Sequence, residues 1–562
     1  MVRRWRGTDN ITVNKHRMDK SLVLLAIPLI LSVFTHLWNP IGFPAIHPDE
    51  GTYMRRAMHI LAGLGPQEFA TTQSNEITIY DHPYHGQIYL YDHPYFGQLY
   101  LAAILGLVGY PPQHSTSADA DLIGLLYLIP RLLMGALAVI DTLLVYKIAE
   151  YKYNKKIAFL AATLFAVMPI GWLLRRILLD NLLLPLVLSS LLFAVRLKKP
   201  QEMISKYAME AKSIRSIHFL TVMISGIFLG LAILTKIPVF TFIPVVAFLV
   251  YINSGKSIKS LGLWFIPVIL IPIMWPAYAI SVGEWEYWFD GVARQSTGRE
   301  DRPLLSTFET LFRIDPVLFL LSIAGIIFAA VQRDYMIIFW IIPFIVFFYF
   351  FNFTSIVYLV GLFPPFCIAT AAMILNVSSK LVKRSFQRVL SSAVCFILVI
   401  FGIVMTTMLI TIELNSSFFE AYAVVTNYLV QDNSSDLENW ESTMIGRYWA
   451  KSFVWIPKFV FQKDFDFIRD DTIGFYAANN RLPTDKEKIL LIADGIMINN
   501  IMTNKNQNGD SAKLGMYYNI TSTVDTIEDD NARKYDKNSY PYVSLRESRG
   551  IGDVEIRSNR GS

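Results

Sequence analysis

The chain runs to 562 residues, of which 53% are hydrophobic and 17% charged, against about 25% charged in soluble domains, so an ordinary soluble enzyme is excluded. The formal net charge of +5 does not imply nucleic acid, because much of the basic excess sits in short loops between apolar runs, where the positive-inside rule accounts for it. Both cysteines, Cys367 and Cys395, fall in apolar stretches and imply neither a disulfide framework nor a zinc site.

Apolar runs of span length recur along most of the chain, the signature of an all-α polytopic membrane protein. Eleven spans are predicted, at about 21–38, 122–148, 156–173, 178–196, 217–235, 238–253, 261–280, 314–331, 335–351, 354–375 and 389–410. The first lacks a small-x-small cleavage site and does not read as a removable signal peptide. Residues 1–20 are rich in Arg and Lys and are predicted to be cytoplasmic. Alternation then puts the basic loops at Lys152–Lys156, Arg196–Arg215, Lys256–Lys259 and Lys380–Arg388 on that same inner side. The transmembrane domain is expected over 21–410, with a long first outer loop, 39–121, of the kind that carries function.

That loop opens on His47-Pro48-Asp49-Glu50. Two adjacent carboxylates at the mouth of a span are costly to hold near lipid, and Asp49 could act as general base on an acceptor hydroxyl. The alternative is that the acids cap the helix that follows. Next comes a tandem duplication: Tyr80–Leu90 and Tyr91–Leu101 agree at nine of eleven positions. The second copy, with His93-Pro94-Tyr95, runs into the apolar segment Phe96–Tyr110. Counting that segment as a span would invert every later loop, so it is predicted to be an interfacial or re-entrant helix, and the second copy is expected to be the working one.

Three further outer turns carry charge. Arg175-Arg176-Ile177-Leu178-Leu179-Asp180 offers guanidinium groups to a lipid-linked phosphate, with Asp180 one helical turn from Arg176 to hold it; an ordinary snorkelling ion pair is the alternative. Lys236 could neutralise a phosphate or simply snorkel. Loop 281–313 has an aromatic belt and Arg294, Arg299 and Arg302. From about 411 the chain turns polar and strand-like runs such as Ile489–Ala493 appear, so residues 411–562 are expected to form an extracytoplasmic α/β domain. Sequons at Asn352, Asn415, Asn433 and Asn519 fall outside in this topology. No Walker loop, dinucleotide fingerprint, HExxH or CxxC is present.

Together these residues resemble the C-type (GT-C) glycosyltransferase superfamily, nearest the protein O-mannosyltransferases and lipid A aminoarabinose transferases. Asp49-Glu50 falls where that family keeps an Asp-Glu in the first outer loop. Arg175–Asp180 resembles its Arg-x-Ile-Leu-Leu-Asp stretch, and His93-Pro94-Tyr95 its His-Pro-Pro segment; Gly230–Lys236 and Tyr358–Pro365 also fit. The resemblance implies inverting transfer of a sugar from a polyprenyl- or dolichyl-phosphate carrier to a protein, lipid or surface-glycan acceptor, without metal, cofactor or nucleic acid. Asp49 would be the base. Glu50, His93, Arg175 and Asp180 would arrange donor phosphate and acceptor, with Arg176 and Lys236 as further phosphate ligands. The chain would lie in the cell membrane with its active site outside. An oligosaccharyltransferase-like subunit and a secondary transporter are the rival readings.

Overall fold

The computed structural model describes residues 10–66, 91–113, 117–198, 211–297, 301–381, 384–430, 442–463, 465–469, 488–498, 520, 522–528, 534–546 and 553–559. The first copy of the duplication, Asn433, Asn519 and Arg299 lie outside these residues.

All eleven predicted spans fold as helix. In chain order the helices are α1 (Asn10–Leu37), α2 (Pro48–Leu61), α3 (Phe96–Leu107), α4 (Ala120–Lys152), α5 (Lys155–Val167), α6 (Leu179–Arg196), α7 (Ala211–Thr235) and α8 (Ile243–Asn253). They continue with α9 (Ile258–Ser281), α10 (Trp285–Thr297), α11 (Leu304–Ile314), α12 (Pro316–Val331), α13 (Tyr335–Phe351), α14 (Phe363–Leu381), α15 (Arg384–Ile410) and α16 (Ser416–Val430). Among the described residues six helical stretches are long and apolar enough to cross a membrane. A seventh results if α5 is joined to the 3₁₀ turn Pro169–Arg175, from which it is bent by 70°. The other four predicted spans are shorter apolar helices, so eleven counts apolar helical segments rather than proven crossings. α3 has 12 residues, about 18 Å of helix, too short for a hydrocarbon core of about 30 Å. It packs on α2, as expected of a helix inside the loop.

Contacts sort the turns into two ends of the bundle. At one end Tyr153 donates to Asp334 and Asn253 Nδ2 donates to the Ala194 carbonyl. These contacts join turns predicted on the inner side. At the other end Arg302 exchanges backbone hydrogen bonds with Asn352 and Thr354, joining two predicted outer turns.

The C-terminal region forms a five-stranded mixed sheet in the order β2-β1-β3-β5-β4, from β1 (Ser442–Gly446), β2 (Asp466–Arg469), β3 (Lys488–Asp494), β4 (Ser522–Ile527) and β5 (Val554–Ser558). β1 runs parallel to β2 and β3, while β5 is antiparallel to β3 and β4. The central strand β3 is buried along its whole length, because its KILLIA run meets an apolar layer on each face. The sheet is not hung on the bundle by a linker. Phe418, Phe419 and Tyr422 of α16 share one core with α4, and the 3₁₀ turn Tyr448–Phe453 adds Phe453. The Tyr127 ring of α4 lies 5.6 Å from Phe453 and 5.8 Å from Trp455.

Asn415 belongs to this junction. Its side chain accepts from the Ile46 N–H and donates to the carbonyls of Ile41, Gly42 and Pro44. It is fully buried, so this sequon is an internal brace. Cys367 is buried and Cys395 half-buried, and both are free thiols.

Candidate active site

The acidic pair opens α2, and its two members do different work. Pro48 supplies a fixed φ at the first turn. The Asp49 N–H donates to His47 Nδ1 at 3.2 Å, and the His47 N–H donates to Glu50 Oε1 at 2.8 Å, which is a capping box. Glu50 is fully buried. Its Oε1 also accepts from Arg131 Nη2 at 2.7 Å, and its Oε2 from Arg131 Nε at 3.0 Å and from the Ile177 N–H at 3.1 Å. Four donors fill the four acceptor positions of a carboxylate, so no position remains for a ligand. Burial alone would raise the Glu50 pKa, but the Arg131 and Arg176 charges and these hydrogen bonds hold it below the ordinary carboxylate value.

The Asp49 carboxylate keeps 37% of its surface exposed. Its Oδ2 lies 3.6 Å from His47 Nδ1. The Tyr53 phenol is held well above its usual pKa, first by burial and then by the negative fields of Asp49, Asp180 and Asp92, against Arg56. Asp92 Oδ1 sits 2.7 Å from Arg56 Nη2, and the His93 ring centroid lies 6.3 Å from that of Tyr53. The second repeat copy therefore lies on the acidic helix and leads directly into α3.

The Arg175–Asp180 stretch does not form the expected helical pair. Pro169–Arg175 is a 3₁₀ turn, Arg176 and Leu178 are extended, and α6 begins only at Leu179. No i,i+4 geometry joins Arg176 to Asp180 across that break. Asp180 instead takes Lys236 Nζ at 2.7 Å, and the same ammonium lies 4.0 Å from the Tyr358 ring centroid. Arg176 stacks on Trp172 at 4.7 Å and donates to the Ala45 carbonyl. Its charge bears on His47, together with that of Arg302. Arg175 is fully buried and donates to the carbonyls of Trp38 and Asn39, at the end of α1.

A cleft opens from the Asp180–Lys236 pair, walled by Leu183, Val239, Phe242, Phe344 and Phe348. It is narrow, with a volume of about 20 Å³, one charged end and apolar walls.

Arg131 and Ser452 did not emerge from the sequence as site residues. Arg131 sat in a predicted span, where an ionisable side chain is itself the signal of a partner. Ser452 gave no signal. Its backbone lies against Gly51, where an added Cβ would collide with the Ser452 carbonyl, and Tyr127 donates to that carbonyl. Among the described residues no group of three or more His, Cys, Asp or Glu side chains is placed to hold a metal ion.

Residues 83–288 match the sequence model of the dolichyl-phosphate-mannose-protein mannosyltransferases. No curated protein matches the chain. The fold is similar to that of ArnT from Cupriavidus metallidurans, with a TM-score of 0.54, 14% identity, and 97% of this chain and 98% of that one covered. It is also similar to the Archaeoglobus fulgidus oligosaccharyltransferase solved with a tethered acceptor peptide, with a TM-score of 0.52, 12% identity, and 90% and 72% coverage. A further structure, AglB of the same organism with an inhibitory peptide and a dolichol-phosphate, gives 0.51, 12% identity, and 95% and 78% coverage. The match over residues 83–288 and the shared fold make this chain similar to membrane glycosyltransferases of the GT-C type.

Proposed function

We propose that the chain transfers a sugar, in the first instance mannose, from a polyprenyl- or dolichyl-phosphate carrier to an acceptor hydroxyl at the extracytoplasmic face, with inversion. The observation that carries this reading is the division of labour in the acidic pair. Glu50 is locked into the frame by Arg131, while the Asp49 side chain stays part-exposed and bears on Tyr53 together with Asp180, which pairs with Lys236. The match over residues 83–288 supports the donor class.

In this reading Asp49 accepts the acceptor's proton as its oxygen attacks the sugar's anomeric carbon. The bond from that carbon to the phosphate oxygen breaks, and the lipid phosphate leaves with the electron pair. Lys236 and Arg176 stabilise the negative charge that develops there. Lys236 is already partnered by Asp180, so the phosphate shares that ammonium with Asp180. His93 and Asp180 line the acceptor and donor sides. Glu50 and Arg175 act as positioning residues, because the geometry leaves them no open face toward the cleft. The acceptor, whether protein, lipid or glycan, presents a hydroxyl.

The test uses the full-length protein in lipid nanodiscs with polyprenyl-phosphate mannose and a hydroxyl-bearing acceptor. Asp49→Asn is expected to lower transfer by about 10²-fold or more while donor binding and folding persist. Wild-type rates in that variant would overturn the assignment of the base.

A further inference from the structure

At the end of the bundle away from the acidic helix lies a cavity of about 400 Å³. It forms where the C-terminus of α4 meets the tight turn between α12 and α13, over the flank of α14. Arg131, which holds Glu50, and Lys152, on the cavity rim, are both on α4. Their separation of 21 positions corresponds to about 31 Å of helix, close to the thickness of a bilayer's hydrocarbon core. The cavity thus sits at the level of the opposite membrane interface and is separate from the transferase site.

Its shape follows from small side chains. Ala329, Ala369 and Ala372 line it where larger residues would fill it. Gly325 lets α12 approach α14 so closely that a Cβ there would lie 2.8 Å from the Ala369 carbonyl carbon. The rim is basic, with Lys152 and Arg333. Asp334 offsets part of this charge by pairing with Lys152. Its Oδ2 accepts from the Tyr153 hydroxyl, and it makes no capping hydrogen bond to α13. Its Oδ1 is buried with no hydrogen-bond partner, and Lys152 Nζ is 3.9 Å away. With Asp334 paired to Lys152, Arg333 and the positive end of the 17-residue α13 leave the rim net positive.

We propose that this cavity binds the headgroup of an anionic membrane phospholipid, with its phosphate between Lys152 and Arg333 and an acyl chain leaving past Phe328. Basic pockets between membrane helices take lipid headgroups in this way, and the mixed lining, with Phe328, Ile337 and three alanines beside the polar side chains, gives an acyl chain a surface that free phosphate would not use. The bound lipid would pin the α12–α13 turn to the end of α4.

The full-length protein, purified in mild detergent, is incubated in parallel with phosphatidylglycerol, phosphatidylcholine or inorganic phosphate and examined by native mass spectrometry. One phosphatidylglycerol is expected to be retained. The double substitution Lys152→Gln with Arg333→Gln should reduce retention on the order of tenfold or more. Ala372→Phe, which fills the cavity without touching charge, should also reduce it. Lys256→Gln, at another basic turn, should not. Equal retention of the two lipids, retention of phosphate alone, unchanged retention in the double variant, or an equal fall with Lys256→Gln would each overturn the proposal. If Ala372→Phe fails to fold, the charge variants decide the matter.

Discussion

At the scale of single residues, Glu50 and Arg131 form a pair whose members cannot be removed separately at low cost. Breaking a buried ion pair from one side costs about 3–5 kcal/mol, so Arg131→Ala is expected to lower thermal stability sharply, as followed by a melting assay in detergent. The same pair sets an acid limit. The folded-state pKa of Glu50 lies below its ordinary value of 4.5, so its contribution is fully present above that pH and is lost as pH falls through the folded-state value. Melting temperature measured from pH 6 downward should fall less steeply in Glu50→Gln than in the wild type, from a lower starting point. At Asn415 the buried side chain rules out modification of the folded chain, so glycopeptide mass spectrometry should find that sequon empty.

At the scale of elements, the start of α2 is fixed from three directions: by its own capping box, by Arg131 on α4, and by the turn Tyr448–Phe453 beneath Gly51. Gly51→Ala has no flexible side chain to displace, because the obstructing atoms are backbone. It is expected to shift the whole first turn of α2 and lower kcat by about tenfold or more, while the affinity for donor lipid, measured separately, changes little. The helical start at Asp49, the helix after the second repeat copy and the apolar segments were legible, since each depends on local pattern. The Asp180–Lys236 pair was not. It depends on a 3₁₀ turn and an extended break between Arg176 and α6, where a helical Arg176–Asp180 spacing was expected. The use of Glu50 was equally hidden, since its partner is 81 positions away.

At the scale of the whole molecule, the C-terminal sheet and the bundle share a core through α16 and the Tyr448–Phe453 turn. Local alternation made strands visible in the sequence, and the β3 run was read correctly. The contact of this region with α2 was invisible, because Ser452 carries no chemical signature. Removing residues 442–562 is expected to expose Tyr127 and to leave the bundle unstable as well as inactive, as judged by size-exclusion profile and melting. The orientation of the ends is a proposal. Cysteines introduced at exposed Lys256 and exposed Leu305 should react with a membrane-impermeant thiol reagent from opposite sides of sealed vesicles. Labelling of both from one side would refute the alternating topology.

The brace made by Asn415 and the seat of Gly51 on Ser452 also set an order in time. Residues 41–51 leave the ribosome early, yet they are held by side chains and backbone from residues 415 and 452. The placement of α2 therefore waits for most of the polypeptide. A chain stalled in mid-synthesis would lack the contacts that hold the first turn of α2.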